Sequence, residues 1–404
     1  MRVQPSNGIA VIASAYYPDS SAAACRLNVV CKLMQAAGLG PTVVSGQIAP
    51  RPDAPPADFP FYSMGEAPAK GQNPLIKAFR HLTWGGKSKD WFALHQDQFA
   101  RVLIAGGYTP YSLRFLPFCR KRAIPMLVDA VEWFQPSHMP GGRFGPFALN
   151  IEIAMRWLYP RAGNIIAISR LLQRHFEAKG CHVIYLPAIL DVLGVTPDVE
   201  PRPGDRPLRL AYTGTPGKKD LLNPMLEAIL RLDPEGRQIH ITLAGPTLRY
   251  LLDLPALKSR GISWLPNCIS APGYVSHDEA TAIVREADFS VLLRPHQRYA
   301  MAGFPTKVPE SLSVGTPVIC NLTSDLGDFL VDGVQALICA APSDQACLAA
   351  LERALALPMA ERAAMRRHAR ELAEKCFDFR VYTEPMKGFM QGLKLPRGSA
   401  NPDE

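Results

Sequence analysis

Short apolar runs alternate with helix-period segments along this chain, and that alternation restricts it to layered α/β folds. The run Gly8–Ser14 is followed by a helical pattern over Ala22–Gly38 and a second run over Pro41–Ser45, which is one β-α-β unit. Further strands are expected at Arg101–Ala105, Pro125–Asp129 and Gly163–Ser169, with helices at Phe147–Leu158 and Leu171–Lys179. Uninterrupted apolar runs of this kind belong to parallel strands covered on both faces. Residues 46–75, rich in Pro, Ala and Asp, have neither period and read as an extended loop.

A stretch rich in Pro, Asp and Gly over 196–207 breaks both periods and marks a linker. A second alternation follows: strand Leu208–Tyr212, helix Asp220–Leu232, strand Gln238–Ala244, helix His277–Glu286, strand Phe289–Leu293 and strand Pro317–Cys320. The expected fold class is therefore α/β, with two doubly wound Rossmann-like domains facing across a cleft. Their expected bounds are 1–195 and 206–375. Ala360–Glu374 reads as a charged helix, and 376–404 as a terminal helix, near Phe377–Gly392, that packs back on the N-terminal domain, followed by a tail. Open α/β sheets bind ligands beyond the carboxyl ends of their strands, so the cleft is the expected site.

The 404 residues, 48% hydrophobic and 20% charged, suffice for two domain cores. Nine cysteines without a CxxC pair, Cys25, Cys181, Cys320 and Cys339 among them, suit reduced core thiols and suggest no metal site. The apolar run Ile9–Ala15 is too short to span a bilayer, which points to the cytoplasm, with the inner face of the membrane as a further expectation. A formal net charge of +8 is compatible with an acidic small molecule or an anionic membrane. No basic stripe interleaved with aromatics supports nucleic acid as a partner. Two stretches suit peripheral contact with an anionic membrane: Lys77–Lys89, with Phe79, Arg80, His81, Trp84 and Lys87, and Phe115–Arg122. A solvated basic surface is the plainer alternative for both.

The segment Arg298–Ile319 carries the most chemical information. Gly303, Phe304 and Pro305 form a turn, and a helix beginning near Thr306 presents N–H groups and a positive dipole end suited to an anion. Lys307 adds a full charge, and Glu310, three residues on, shares its face and is able to accept hydrogen bonds from a sugar hydroxyl. Lysine for phosphate and glutamate for ribose suits a nucleotide diphosphate. The plainer alternative is a turn followed by a carboxylate complementing the helix dipole.

A second candidate cradle, Tyr212–Leu221, contains Gly214, Thr215 and Gly217 with Lys218 and Lys219, an ordinary βα turn being the plainer reading of it taken alone. It lacks the P-loop spacing, and no GxGxxG is present, which disfavours a dinucleotide-linked oxidoreductase. In the first domain, Asp129–Gly142 carries Glu132 and His138 at a strand end, although a lone loop histidine is more often plain surface, and Pro18–Arg26 is a small-residue turn with Ser20, Ser21 and Arg26. Without an Asp-x-Asp motif, a donor diphosphate would be neutralised by Lys, Arg and helix dipoles, with no metal or other cofactor.

Together these residues resemble the GT-B-fold glycosyltransferases, specifically the retaining group of family 4 (glycosyl transferases group 1). The likeness runs along nearly the whole chain. Tyr17-Pro18 and Arg26 resemble that family's opening turn, with Ser20-Ser21-Ala22 in place of the usual Gly-Gly; Ile166–Ser169 followed by Leu186-Pro187 resembles its end-of-domain pattern. Tyr212–Leu221 resembles its donor-phosphate loop, Gly273–Val275 with Ala287-Asp288 the approach to the signature, and Gly303–Ile319 the signature itself. Two departures stand out. Ala302 occupies the place of the first glutamate of Glu-x7-Glu, and Thr215-Pro216 stand where an arginine is common, leaving Lys219 as the match.

The resemblance implies transfer of a sugar from a nucleotide diphosphate-sugar to the hydroxyl of a glycan or lipid-linked acceptor with retention, in cell-envelope or exopolysaccharide biosynthesis. Lys307 and Lys219 would stabilise the leaving diphosphate, Glu310 would bind ribose and His138 would contact the transferred sugar. Front-face attack, with the donor phosphate taking the acceptor proton, is the implied route. An epimerase or hydrolase on the same architecture, and a non-catalytic nucleotide-sugar-binding scaffold, remain as alternatives.

Overall fold

The computed structural model describes residues 7–19, 21–47, 54–67, 73, 80, 83–107, 109–135, 137, 142, 145–200, 206–217 and 219–399. The chain divides into two compact units, unit 1 being Met1–Ile189, Ala302–Phe304 and Phe379–Glu404, and unit 2 being Leu190–Met301 and Pro305–Asp378.

Unit 1 is built on a seven-stranded sheet: β1 (Gly8–Ala13), β2 (Gly40–Ser45), β3 (Phe61–Ser63), β4 (Arg101–Ala105), β5 (Met126–Ala130), β6 (Gly163–Ala167) and β7 (His182–Tyr185), in the order β3-β2-β1-β4-β5-β6-β7. Every pairing is parallel. β5 and β6 are buried at every residue, which is what an apolar run without alternation encodes. The Ala22–Ala36 helix starts at Ser21, whose Oγ accepts the Ala24 N–H at 3.4 Å, and it buries Leu27, Val30, Leu33 and Met34. Met386 and Phe389 of the Thr383–Gln391 helix join the same core. The chain's end is tied down further by Asn164, which donates to the Met126 and Lys394 carbonyls at 3.0 and 2.8 Å and accepts the Lys394 N–H.

Several expectations change here. The segment read as loop contains β3, which pairs with β2 through Val43 and Phe61. The helix expected over Phe147–Leu158 is α-helical only across Pro146–Ile153; Ala154–Leu158 widens to a π-turn and Tyr159–Ala162 tightens before Gly163 at φ +87°. Two helices were not anticipated, Gly86–Leu94 and Thr109–Lys121. They turn inward two of the aromatics assigned to basic, membrane-facing stretches. Trp84 is buried and donates to Tyr111 Oη at 2.8 Å, and Phe115 is fully buried beside Phe92 and Tyr111. Phe79 and His81 lie outside the described residues.

Unit 2 carries a six-stranded parallel sheet: β8 (Leu208–Thr213), β9 (Ile239–Ala244), β10 (Ile269–Gly273), β11 (Phe289–Leu292), β12 (Val318–Asn321) and β13 (Ala336–Cys339), in the order β10-β9-β8-β11-β12-β13. This is the doubly wound 3-2-1-4-5-6 order, with its switch point between β8 and β11. The Asn223–Leu232 and Asp344–Ala356 helices pack together over one face, burying Met225, Leu226 and Ile229 with Cys347 and Leu351. Part of the expected linker is anchored within this unit: Arg366, 2% exposed, donates to the carbonyls of Asp198 at 3.0 Å and Ala287 at 2.8 Å, and Arg370 to that of Val195 at 2.8 Å. All nine cysteines are free thiols.

Candidate functional site

The crevice at a switch point is set by which residues follow the two diverging strands, here β8 and β11. β8 ends in Tyr212-Thr213, and the chain then turns through Gly214 at φ +117° and Gly217 at φ +53°. Glycine is required at 214 for two reasons. The backbone is left-handed there, and a Cβ would stand 2.8 Å from Lys307 Cε. Thr215 and Gly217 are exposed at the tip, Pro216 is buried, and the Pro216 carbonyl accepts the N–H groups of Lys219 and Asp220.

Asp220 is the hub of the site, although its side chain is only 2% exposed. It forms a short contact with Lys307 Nζ, accepts Arg294 Nε at 2.8 Å and accepts Tyr212 Oη at 2.8 Å. Lys307 Nζ also donates to Tyr212 Oη at 3.1 Å and lies 4.5 Å from the centre of its ring. Arg294, two residues past β11, is fixed from the next strand: its N–H donates to Asn321 Oδ1 and its carbonyl accepts Asn321 Nδ2, both at 2.9 Å. Two cations on one carboxylate leave a net positive charge at the strand ends.

The charge states follow from these contacts. Burial opposes ionisation of Asp220, but Lys307 and Arg294 outweigh it and hold its carboxyl below the usual range. Burial lowers the Lys307 ammonium, with Asp220 acting against the shift. Burial, reinforced by Asp220, pushes the Tyr212 phenol up, so it stays a neutral donor.

Lys307 opens the Lys307–Ser313 helix, which begins at the expected place and stops before Gly315 at φ +82°. Glu310 N–H donates to the Thr306 carbonyl at 3.1 Å. Burial raises the Glu310 carboxyl, while His277 and Lys307 pull the other way. Lys307 and Glu310 line one cavity of about 20 Å³ together with Tyr212, Thr213 and Ser290.

The remaining expected residues are distributed as follows. Lys219 is partly buried, and its carbonyl accepts Tyr299 Oη at 2.9 Å. Pro305 is buried and Thr306 half-buried in unit 2, whereas Gly303 and Phe304 are buried and group with unit 1. Lys218, His138 and Ser20 lie outside the described residues. At the switch point of unit 1, Arg26 grips Asp129 through two bonds, Nε to Oδ2 at 3.0 Å and Nη2 to Oδ1 at 2.8 Å, and donates Nη1 to the Pro187 carbonyl at 3.1 Å. These two side chains line a cavity of about 80 Å³ with Ser14 and Gly106. Ser21 is a helix cap, and Glu132 stands half-buried just past β5. The sequence reading missed Asp220, Arg294, Tyr212 and Asn321 as site residues. Its one available signal was an ionisable residue directly after an apolar strand, as in Leu292-Leu293-Arg294.

Comparison with known proteins agrees with this architecture. Residues 209–372 match the family model of the glycosyl transferases group 1. Glycogen synthase of Mycobacterium tuberculosis is 23% identical over 263 residues, 64% of this chain; the match spans 61% of that relative's length. Among solved structures, HepE of Anabaena in complex with UDP and glucose superposes with a TM-score of 0.68 at 13% identity, over 95% of this chain and 99% of that one. Sucrose-phosphate synthase from Thermosynechococcus elongatus superposes with a TM-score of 0.72 at 14% identity, over 95% and 98%. The fold is thus of the GT-B class, with two Rossmann-like domains. Within that class, the family match over the second domain supports a group 1 glycosyltransferase.

Proposed function

We propose that the protein is a glycosyltransferase that moves a sugar from a nucleoside diphosphate-sugar to an acceptor hydroxyl with retention at the anomeric carbon. The observation that carries this reading is the Asp220-centred pairing of Lys307 and Arg294 beside the Gly214 turn, at the point of a doubly wound sheet where ligands bind. A diphosphate there gains a lysine, an arginine and the N–H groups of an exposed turn. Structures of HepE with UDP and with UDP-glucose add a precedent for the donor on this fold.

In the proposed reaction the bond from the anomeric carbon to the donor phosphate oxygen breaks as the bond to the acceptor oxygen forms. The acceptor proton passes to the departing phosphate. Lys307 and Arg294, with Lys219 from the loop, would stabilise the charge that develops on the diphosphate, without a divalent metal. Glu310 would accept hydrogen bonds from the ribose. The proposed acceptor is a glycan or a lipid-linked acceptor of cell-envelope polysaccharide synthesis.

Calorimetric titration of UDP, GDP and ADP into wild type and Lys307→Ala, with and without Mg²⁺, tests the donor site. Metal-independent binding of one nucleotide, weakened at least about tenfold in the variant, is expected for a charge-assisted contact. Absence of binding by all three removes the reading. Turnover of the donor sugar without any acceptor would turn it toward a hydrolase.

A further inference from the structure

The carboxylate of Asp220 is the most enclosed member of the charge group at the switch point of unit 2. Its side chain is 2% exposed, against 21% for Lys307 and 15% for Arg294, so the anion stands behind and the cations in front. The backbone holds it there. The Asp220 N–H donates to the Pro216 carbonyl at 3.1 Å, and the N–H of the next residue, Leu221, donates to the Leu293 carbonyl just past β11 at 2.8 Å.

The two carboxylate oxygens take different partners. Oδ1 accepts Arg294 Nε, while Oδ2 accepts Lys307 Nζ and Tyr212 Oη. Lys307 Nζ thus commits two of its three hydrogens, one to Asp220 and one to Tyr212 Oη. Arg294 commits only Nε, and among the described residues its terminal nitrogens have no hydrogen-bond partner. One ammonium hydrogen and the outer edge of the guanidinium are left for an anionic ligand.

A lysine in such a place is prone to lose its proton. Burial lowers the Lys307 ammonium, Asp220 opposes that, and Arg294, a like charge beside it, adds to the lowering. Glu310 also supports the charge, but burial raises its own carboxyl, so it is a poor substitute for Asp220. The arginine keeps its proton in any surroundings.

We propose that Asp220 is a positioning residue for the donor diphosphate: its carboxylate aims Lys307 and Arg294 forward from one point and holds Lys307 as a charged ammonium through the neutral pH range. The inference rests on the donor-site reading above and adds to it a reason for an acid beside a diphosphate. A carboxylate there repels the ligand, and that repulsion is the smaller effect when one buried anion sustains two cations.

The test is calorimetric affinity for whichever of UDP, GDP and ADP binds, in wild type and Asp220→Asn, at about pH 6.5 and about pH 8.5. The ratio of the two affinities cancels titration of the nucleotide and of His277, which faces Glu310. Tyr212 and Tyr250, the phenols facing Asp220, are raised by burial and stay neutral. Without Asp220 the Lys307 ammonium is lowered further, so its charge is lost as pH rises. The deficit of Asp220→Asn relative to wild type is therefore expected to grow at least about tenfold from the lower to the higher pH. Asp220→Asn/Lys307→Arg, in which a guanidinium keeps the charge, is expected to show the same deficit at both.

A deficit of Asp220→Asn that is equal at both pH values overturns the proposal and leaves Asp220 a structural residue. Tighter binding by Asp220→Asn at both values overturns it too, because the carboxylate would then merely compete with the diphosphate. Where circular dichroism shows that Asp220→Asn does not fold, NMR of lysine-labelled wild type decides, with Lys307 assigned by its absence in Lys307→Met. A charged Lys307 at neutral pH is expected, and a neutral one overturns the proposal. Absence of nucleotide binding by the wild type removes the donor-site reading and this inference with it, whereas a ratio independent of pH overturns this inference alone.

Discussion

The pairing around Asp220 yields a quantitative prediction, because one carboxylate answers two cations. Asp220→Asn leaves both Lys307 and Arg294 without their counter-charge. Removing one member of a fully buried ion pair costs about 3–5 kcal/mol. The cations here are 21% and 15% exposed, so part of their charge is carried by solvent and about 2–3 kcal/mol is the better figure. Lys307→Met is milder. It removes one charged bond, keeps the apolar stem, and leaves Asp220 with Arg294 and Tyr212, for about 1 kcal/mol. In the double variant only Arg294 is stranded, so the cost is about 2 kcal/mol, less than the sum of the singles, and the coupling is about 1–2 kcal/mol. Native-state amide exchange read on peptides from β8 and β11 reports the opening free energy of this unit alone, which avoids assuming that both units unfold together. Additivity within about 0.5 kcal/mol would refute the account and leave the three side chains as independent neighbours.

Two other positions give separate checks. Gly214→Ala places a Cβ 2.8 Å from Lys307 Cε at φ +117°, so affinity for whichever of UDP, GDP and ADP binds should fall at least about tenfold by calorimetry, whereas Gly217→Ala, with nothing within 4 Å and only the strain of φ +53°, should lower it less. Asp233 accepts the N–H groups of Arg237, Gln238 and Ile239 at 3.0, 2.7 and 2.8 Å, and although burial opposes ionisation these bonds hold its carboxyl below the usual range. Its stabilisation is therefore complete above the unfolded aspartate pKa and is lost as pH falls through the lower folded value. Asp233→Ala should cost about 2–4 kcal/mol at neutral pH by urea unfolding, with the gap to wild type narrowing on acidification.

The strands that the sequence revealed and those it concealed differ by their place in the sheets. β1, β2, β4, β5, β6, β8, β9, β11 and β12 lie inside the two strand orders, and they are written as apolar runs or, in β8 and β9, as apolar residues broken by Arg209, His240 and Thr242. The four that were missed, β3, β7, β10 and β13, are the four edges. An edge strand has a single neighbour and more solvent, so β3, β7 and β10 are not obliged to be continuously apolar, whereas β13, Ala-Leu-Ile-Cys, is apolar throughout but so short that its period does not tell strand from helix. β10, Ile-Ser-Ala-Pro-Gly, even carries a proline that an interior strand would exclude. The Thr109–Lys121 helix was hidden for a related reason. Its C-terminal half was read as a basic surface stretch over Phe115–Arg122, while Tyr111, Phe115 and Cys119, four residues apart, are the buried face.

The candidate site was legible only in the parts that chain-local chemistry can express. A lysine at a helix start, a glutamate three residues on and glycines in a strand-to-helix turn mark a candidate anion site, because backbone geometry and helix dipoles act over a few residues. Charge compensation does not work that way. Lys307 is 87 residues from Asp220, and Arg294 is 74 from it. The sheet order alone brings β8 and β11 side by side, so the residues that follow them converge. Beside the Thr215-Pro216 turn, which has no arginine, stands Arg294 from the end of the adjacent strand, bonded to Asp220. The positive charge at this switch point is thus a sum over two strand ends, and any one loop taken alone shows only part of it.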